Sequence, residues 1–259
     1  MDFAIVASKK DEAGMNIIEE FEKISSLPIY LTDKEIIYAE NSDREIENAD
    51  FIIFASKHQG KKEKMLSIHA PGNWGVAEMG GENKKICKTS ALFLKHLFQV
   101  LNEETESLEG WQTTLEVTHH GPYVEKPCCF IEIGSCLKQW RDKKAGKIIA
   151  ETIKKAIETF DKEKLEKKRR VAIGVGGPHY CPNFNKIQLK SEIALSHIIP
   201  QYAFPIREGM LKEAINKTEE SVNFALIDWK GLKSEERKET INLLKEIGLD
   251  YKKTSEISK

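Results

Sequence analysis

Phe51-Ile52-Ile53-Phe54-Ala55 is the stretch that decides the fold class, and it runs straight into the polar segment Ser56-Lys57-His58-Gln59-Gly60. A continuous apolar run of this length predicts a strand that is buried on both faces, as in a parallel sheet covered by helices. The polar segment includes a histidine, His58, and ends in a glycine, Gly60. In open α/β sheets, ligands bind in the crevice at the carboxyl ends of the strands. The pattern therefore predicts an α/β protein with polar groups gathered beyond its strands.

The rest of the chain repeats this alternation of apolar runs and helical spacing. Further strands are predicted at residues 3–7, 36–38, 66–69, 111–118, 129–133, 171–175 and 222–227. Helices are predicted at residues 11–24, 89–101, 137–160, 191–197, 207–217 and 234–247. Because strands alternate with helices, parallel pairing with right-handed crossovers is expected. We predict a single domain over residues 1–259, with a mostly parallel twisted sheet flanked by helices.

Composition and charge limit the kinds of molecule that the protein is expected to bind. The 259 residues include 40 basic and 41 acidic side chains, so the formal charge is −1 and any polyanion site must be a local patch. There is no apolar run of about 18 residues, and residues 1–8 lack the features of a secretory signal. We expect a cytoplasmic protein without a membrane segment.

The cysteines give no sign of a disulfide framework or a zinc ribbon. They form an odd set without a Cys-x-x-Cys pair, and they are Cys87, Cys128, Cys129, Cys136 and Cys181. Reduced, mostly buried thiols are expected.

The segment from Glu116 to Pro122 places a carboxylate, a hydroxyl and two adjacent imidazoles at the end of a predicted strand. On a continuing strand, His119 and His120 would point to opposite faces. If the strand ends at Thr118, the loop could turn both rings the same way. The segment is also compatible with a polar strand end in which one histidine hydrogen-bonds into the core.

Five of the seven histidines lie at or just beyond predicted strand ends, and they are His58, His69, His119, His120 and His179. Glu132 lies between Ile131 and Ile133, where an ionised carboxylate is costly without a cation or hydrogen-bonding partners. A metal, a histidine or a substrate amine would supply one; a strand with one exposed face or a structural ion pair is the alternative. His/Glu clusters without suitable cysteines suit Zn²⁺, although no short zinc motif is present.

A glycine turn, Gly176-Gly177-Pro178-His179, follows the predicted strand 171–175. Such turns expose backbone N–H groups to a phosphate or an oxyanion. This one lacks Gly-Lys-Ser/Thr, and Pro178 removes one donor. His197 precedes an apolar run and could approach the crevice.

Several motifs, taken in order, resemble the archaeal and plant type 2 family of D-aminoacyl-tRNA deacylases. They are Ser56-Lys57-His58, His69-Ala70-Pro71-Gly72-Asn73, Thr118-His119-His120-Gly121-Pro122, Phe130-Ile131-Glu132-Ile133-Gly134-Ser135, Trp140 and Gly176-Gly177-Pro178-His179-Tyr180-Cys181-Pro182. The similarity extends from the first strand to about Trp229. Val117 and Pro178 depart from the family's pattern, in which a smaller residue and a glycine are usual.

This resemblance implies a hydrolase that cleaves the ester between a D-amino acid and the 3′-terminal adenosine of tRNA. It also implies bound zinc and a scaffold similar to peptidyl-tRNA hydrolases and nucleoside phosphorylases. The zinc is expected on some of His58, His69, His120, Glu132 and His179. The catalytic groups are expected among Glu116, His119, His120, Glu132 and His179.

Binding roles are assigned on the same basis. Backbone N–H groups of Gly176 and Gly177, together with Tyr180, are expected at the substrate. Lysines near His58 are the first candidates for tRNA phosphates, with residues 164–170 second; the first set is Lys57, Lys61, Lys62 and Lys64. We expect a monomer. The alternatives are a peptidyl-tRNA hydrolase or metallopeptidase on the same scaffold, or a tRNA-binding protein without catalysis.

Overall fold

The computed structural model describes residues 1–60 and 64–257, and its strands form two sheets. The first sheet contains β1 (Phe3–Ser8), β2 (Ile29–Thr32), β3 (Phe51–Gln59), β4 (Met65–His69), β5 (Gln112–Leu115) and β6 (Cys128–Ser135). The second contains β7 (Arg170–Val175), β8 (Ile193–Ile199), β9 (Phe224–Ile227) and β10 (Tyr251–Lys253). The helices are α1 (Glu12–Phe21), α2 (Ala91–Thr105), α3 (Leu137–Trp140), α4 (Lys143–Thr159), α5 (Lys162–Glu166), α6 (Pro182–Lys190), α7 (Glu208–Asn216) and α8 (Ser234–Glu246). In this part of the chain, no helix is both long and apolar enough to cross a bilayer.

The strand order of the first sheet is β2-β1-β3-β6-β4-β5. Every pairing in it is parallel except that of β4 with β6, and all pairings in the second sheet, β10-β9-β7-β8, are parallel. The predicted α/β class with a mostly parallel sheet is therefore confirmed. The antiparallel insertion sets a register that aligns Ser56, Glu132 and Ser67 across three neighbouring strands.

The two faces of the first sheet have different coverings. Helices α1, α2 and α4 pack against one face, where Ile53 and Ile131 belong to the main hydrophobic core. On the other face, Phe54 and Phe130 stack with their ring centroids 4.9 Å apart. Because side chains alternate along a strand, Glu132 continues that second face beyond Phe130. On the face that loops cover, the polar side chain of Glu132 therefore lies next to the apolar pair Phe54 and Phe130.

Residues 116–118 connect the two sheets. The Glu116 N–H donates to the Ile68 carbonyl of β4 (3.0 Å), and the Thr118 N–H donates to the Ile198 carbonyl of β8 (3.0 Å). Between them, the Val117 N–H donates to the carbonyl of His179 (3.0 Å). One short segment therefore extends the first sheet, meets the second and anchors the loop that follows β7.

Two predicted elements are wrong. Residues 36–38 form a 3₁₀ helix instead of a strand, because the edge position beside β1 is taken by β2 and Ile36 packs into the loop-covered apolar cluster. Residues 191–197 were expected to be helical, but β8 occupies Ile193–Ile199 and all seven of its residues are buried. The helix lies earlier, at α6, where Pro182 occupies the first turn.

Other boundaries shift for local reasons. The predicted helix 137–160 is divided, because Asp142 accepts from the N–H groups of Lys144 and Ala145 and starts α4 anew. The predicted strand 111–118 ends at Leu115. β4 is buried on both faces, since it lies between β6 and β5. β2 and β10 have no counterpart among the predicted strands.

Lys95 is a buried lysine on α2, with 1% of its surface exposed. Its Nζ donates to the carbonyl of Gln188. Burial is the main cause that lowers the pKa of Lys95, from 10.5 to about 7, and the nearby Arg169 adds to it while Glu192 opposes it. In the unfolded chain, Lys95 would titrate near its ordinary pKa. Between these two values the unfolded state binds more protons than the folded state.

Stability should therefore rise with pH through this window. We expect the free energy of unfolding to increase between pH 7 and pH 10 by up to about 4 kcal/mol more in the parent protein than in Lys95→Met, because each pKa unit corresponds to about 1.4 kcal/mol. Denaturant unfolding at several pH values measures this difference. Lys154→Met, at an exposed lysine of α4, is the matched control and should behave as the parent. If the free energy of unfolding changed equally with pH in Lys95→Met and in the parent, this would contradict a lowered pKa of Lys95 in the folded protein.

Candidate functional site

Five imidazoles and two carboxylates meet on the loop-covered face of the first sheet. They come from β3, β4, β6 and the segments after β5 and β7, and they are His58, His69, His119, His120, His179, Glu116 and Glu132. A cavity of about 420 Å³ opens onto them and is lined by four of these histidines and by Glu132. The structure thus brings five histidines from four places in the sequence to one site.

Glu132 lies within β6, beside Ser56 of β3 and Ser67 of β4. Only 2% of its surface is exposed. Ser67 Oγ donates to Glu132 Oε2 at 3.4 Å, and His58 Nδ1 and His69 Nε2 both lie 3.7 Å from that oxygen. Burial would raise the pKa of Glu132, but its contacts with His58 and His69 outweigh burial and lower it. The carboxylate is therefore ionised although its side chain is buried.

Glu116 follows β5 and is also 2% exposed. Its oxygens lie 3.1 Å from His58 Nδ1, 2.7 Å from His179 Nε2 and 3.5 Å from His119 Nε2. These contacts overcome burial and hold the pKa of Glu116 well below 4.5. Within the described residues, however, no ring N–H points at either oxygen in hydrogen-bonding geometry. The three imidazoles therefore contact Glu116 through charge and proximity.

Three of the imidazoles have one nitrogen fixed by a backbone carbonyl. Nδ1 of His69 lies 3.2 Å from the Ala70 carbonyl, Nδ1 of His119 lies 2.8 Å from that of Val117, and Nδ1 of His120 lies 2.6 Å from that of Gly121. A carbonyl only accepts, so each Nδ1 carries the proton. In the neutral imidazole, Nε2 then has a free lone pair, which is the arrangement found in metal-ligating histidines.

The pKa values divide the histidines into two groups. Burial, together with His69, lowers the pKa of His120 to about 4, and burial with His120 and His69 holds that of His119 well below 6.5. Burial also disfavours the charged form of His58, but the nearby carboxylates of Glu116 and Glu132 outweigh burial and raise its pKa to about 11. At neutral pH, His119 and His120 are therefore neutral, whereas the carboxylates raise the pKa of His69 as well as that of His58 and favour the charged form of both rings.

The donor atoms are close enough to share an ion. In each of three groups, the potential ligand atoms lie within 4.8 Å of one another; the groups are His69-His119-His120, His58-Glu116-His179 and His69-Glu116-Glu132. Nε2 of His69 is buried and has no hydrogen-bond partner among the described residues. An orphaned imidazole nitrogen beside two neutral imidazoles fits a cation such as zinc.

The geometry of the histidine pair follows from where the strand ends. Because β5 stops at Leu115, the pleat no longer sets the directions of His119 and His120. His120 has a left-handed backbone (φ 44°), which is uncommon for a residue other than glycine. The two rings lie together, with centroids 4.3 Å apart.

The other predicted binding residues fall in different places. Lys57 lines the cavity, and the Tyr180 hydroxyl lies 2.9 Å from His58 Nε2. The N–H of Gly176 donates to the Ile199 carbonyl (2.8 Å), and neither Gly176 nor Gly177 lines the cavity, so the structure does not bring them to the site as oxyanion donors. Lys61 and Lys62 lie outside the described residues.

The remaining candidates lie apart from the cavity. Lys64 Nζ donates to the Glu109 carbonyl at 3.4 Å. Residues 164–170 belong to α5, the turn after it and the start of β7. His197 is fully buried and its Nδ1 lies 3.2 Å from Thr118 Oγ1, so it supports the segment that joins the sheets.

Sequence reasoning missed the opposite wall of the cavity. Lys10 and Asp11 line it after β1, Tyr38 lines it from the 3₁₀ helix at residues 36–38, and Met79 lines it from a loop. The one available signal was Asp11, since an aspartate between a strand and a helix is a typical N-cap. Asp11 Oδ1 accepts from Ala13 and Gly14, while Oδ2 accepts from Ser56 and Lys57. No pattern marked the loop residues.

The loop that carries Met79 is held against the His120 loop by close backbone contacts. The Gly121 N–H donates to the Met79 carbonyl at 2.9 Å. One carboxylate, that of Glu40, accepts from the N–H of Gly81 at 2.6 Å and from that of Tyr123 at 2.5 Å. Gly81 itself adopts a φ of 80°. The wall of the cavity and the histidine loop are thus fastened to each other.

Comparison with known proteins gives a consistent result. The family model for D-aminoacyl-tRNA deacylase matches residues 45–252. A D-aminoacyl-tRNA deacylase of Pyrococcus abyssi is 37% identical over 95% of this chain and 98% of its own length. One from Methanocaldococcus jannaschii is 34% identical over 98% of this chain and 100% of its own length. A crystal structure described as a conserved protein of unknown function has a TM-score of 0.91 and 28% identity, covering 99% of this chain and 96% of that one.

The contact between the two loops can be tested with a single methyl group. A Cβ at Gly121 would lie 2.2 Å from the backbone nitrogen of Gly81 and 2.4 Å from the carbonyl carbon of Gly80. Because these are backbone atoms, the loops would have to separate, and we expect Gly121→Ala to lower the free energy of unfolding by about 2 kcal/mol or more. Gly75→Ala is the control, since a Cβ there meets no atom within 4 Å. Equal stability of the two variants in denaturant unfolding would show that the loops are not packed as described.

Proposed function

The chain belongs to the D-aminoacyl-tRNA deacylase family, and we propose that its histidine and glutamate cluster hydrolyses the ester between a D-amino acid and the 3′-terminal adenosine of tRNA. The observation that supports this most directly is the cavity, because it opens onto neutral imidazoles and a buried carboxylate at the same time. An aminoacyl ester is already activated. The site has to position a water, accept its proton and stabilise the charge on the carbonyl oxygen.

We propose that the Nε2 atoms of His69, His119 and His120 hold zinc. Three protein ligands are typical of catalytic zinc sites, and the carbonyl-anchored Nδ1 atoms leave these three nitrogens free. Zinc supplies Lewis-acid chemistry at such a site, since it polarises an ester carbonyl and makes water more acidic. His58, Glu116 and His179 form a second group of suitable donors, so the number of bound ions is a quantity to measure.

His179 is proposed as the group that moves the proton. Its side chain is 32% exposed, and its Nε2 lies 2.7 Å from Glu116 Oε2. When His179 takes a proton from the attacking water, the buried Glu116 carboxylate stabilises the resulting cation. The ester C–O bond then breaks, and His179 returns the proton to the leaving ribose oxygen. His58 holds the other oxygen of Glu116 at 3.1 Å and keeps that carboxylate in place.

The opposite wall is proposed to receive the substrate. Lys10 and Lys57 line the cavity and provide positive charge for the phosphate next to the terminal adenosine. Ile37, Tyr38 and Met79 form an apolar portion of the same wall. The D configuration would be selected by how the α-substituent fits between this portion and the imidazoles.

Matched substrates test the proposed reaction. We expect release of the D-amino acid from D-aminoacyl-tRNA and at least about a hundredfold slower release from the L-aminoacyl-tRNA with the same side chain, since a pocket that accepts one configuration misplaces the other. N-blocked aminoacyl-tRNA and free peptides are the comparison substrates for a peptidyl-tRNA hydrolase or a peptidase. Turnover of either of these with none of D-aminoacyl-tRNA would overturn the assignment, and tight tRNA binding without any turnover would favour a binding protein.

Two substitutions separate the zinc from the proton acceptor. We expect His120→Ala to lose most of its bound zinc, because one of three ligands is removed. His179→Gln should keep the zinc that His69, His119 and His120 hold, and its kcat should fall by at least about a hundredfold. Elemental analysis and single-turnover deacylation measure the two quantities on the same sample.

His96→Ala is the matched control, because His96 is bonded to Thr159 on a helix of the opposite face. It should retain both zinc and activity. Full activity in a preparation shown to be metal-free would rule out the zinc, whereas normal turnover by a folded His179→Gln variant would remove His179 from the mechanism.

A further inference from the structure

A second cavity, of about 610 Å³, lies beside α6 and the turn that follows β9. Lys186, Lys190 and Lys230 line it together with Trp229, and none of its lining residues is an aspartate or glutamate. We call this cavity the α6 groove. Lys186 and Lys190 are four residues apart on α6, so their side chains project from the same face of the helix.

The three lysines have no acidic partner among the residues that the structure describes. Among residues 1–60 and 64–257, no carboxylate oxygen lies within 4.0 Å of the Nζ of Lys186, Lys190 or Lys230, whereas lysines of α4 such as Lys147 and Lys154 pair with glutamates one turn away. The charge of these two α4 lysines is therefore balanced locally. In the α6 groove it is available to a polyanion.

Trp229 adds an aromatic surface with further positive charge around it. The Arg237 guanidinium lies 5.0 Å from its ring centroid, and the Lys253 ammonium lies 4.6 Å from it. Lys253 is also paired with Glu256 at 3.0 Å, so it contributes less net charge than the groove lysines. Basic side chains next to an aromatic ring are typical of surfaces that bind RNA strands.

The groove is connected to the reactive site by α6 itself. His179 and Tyr180 lie immediately before this helix, and Asn183 in its first turn lines the groove. Asn183 Nδ2 donates to Asp228 Oδ1 at 2.9 Å, which joins the helix to the segment that carries Trp229 and Lys230. From Pro182 to Lys190 the helix rises about 12 Å, at 1.5 Å per residue. An RNA strand advances roughly 3 Å per stacked nucleotide, so this length covers the first few nucleotides next to the 3′ end.

We propose that the α6 groove binds the phosphate backbone of the acceptor arm of tRNA, while its 3′-terminal adenosine enters the cavity of the histidines. This proposal rests on the proposed function for the identity of the RNA. The groove lysines hold the strand and take no part in the chemistry. Their contribution should therefore appear in affinity, and only for substrates long enough to reach them.

The test is the triple variant Lys186→Glu/Lys190→Glu/Lys230→Glu, with Lys147→Glu/Lys154→Glu on α4 as the charge-reversal control. Uncharged tRNA provides a direct probe that needs no catalysis. We expect the triple variant to bind it at least about tenfold more weakly than the parent at low salt, and the slope of log Kd against log salt to fall by about 2 to 3, one for each lost phosphate contact. The control should change both quantities much less.

A short substrate separates this result from the reaction itself. D-aminoacyl-adenosine ends before the groove, so the parent and the triple variant should hydrolyse it at the same rate, while KM for full-length D-aminoacyl-tRNA rises in the variant alone. Equal tRNA affinity and salt dependence in the triple variant and the control would overturn the groove proposal even if the parent deacylates normally. If the parent hydrolyses neither substrate, the proposed function fails, and the binding measurement still decides whether the groove holds RNA. The milder Lys→Gln triple variant replaces the reversal if the latter does not fold.

Discussion

Two buried carboxylates, Glu116 and Glu132, impose the constraint on which the rest of the site depends. Each is 2% exposed, and an ionised carboxylate in such surroundings is costly unless positive or polar groups surround it. The surrounding imidazoles meet this requirement, with His58 reaching both carboxylates from one ring nitrogen. Removing one partner would leave an uncompensated charge in the interior. The histidines therefore stabilise the fold as well as forming the site, and a bound cation would relieve the same electrostatic cost.

The sheet topology places these groups where they can meet. Because β4 pairs antiparallel with β6, Ser67 lies beside Glu132 and His69 lies beside Phe130. A parallel strand at that position would carry its last residue to the other end of the sheet. The segment that bears Glu116 is bonded to β4 on one side and to β8 on the other, so the second sheet helps to hold a carboxylate of the first. The site is consequently a product of both sheets and could not be assembled by either alone.

Sequence patterns predicted most of the buried strands, most helices and the gathering of the histidines, because burial on both faces and strand-end polarity depend on neighbouring residues. They failed where the outcome depends on distant partners. The hydrophobic pattern of residues 191–197 does not distinguish a strand from a helix. Their pairing with β7 makes them a strand. Equally, nothing near His69 shows that its strand is antiparallel. The opposite wall of the cavity was missed because no periodic pattern in the sequence indicates that Tyr38 and Met79 line it.

The carboxylate of Glu40 joins two loops beside the cavity. Its two oxygens hold the backbone of Gly81 and Tyr123, and thus the loops that carry Met79 and His120. A molecule that displaces Met79 on entering the cavity would pull on the same carboxylate that restrains the histidine loop. Occupancy of the apolar wall would in this way be transmitted to the position of an imidazole on the other side. The size of the amino acid side chain would then affect the position of the histidine loop before any bond is broken.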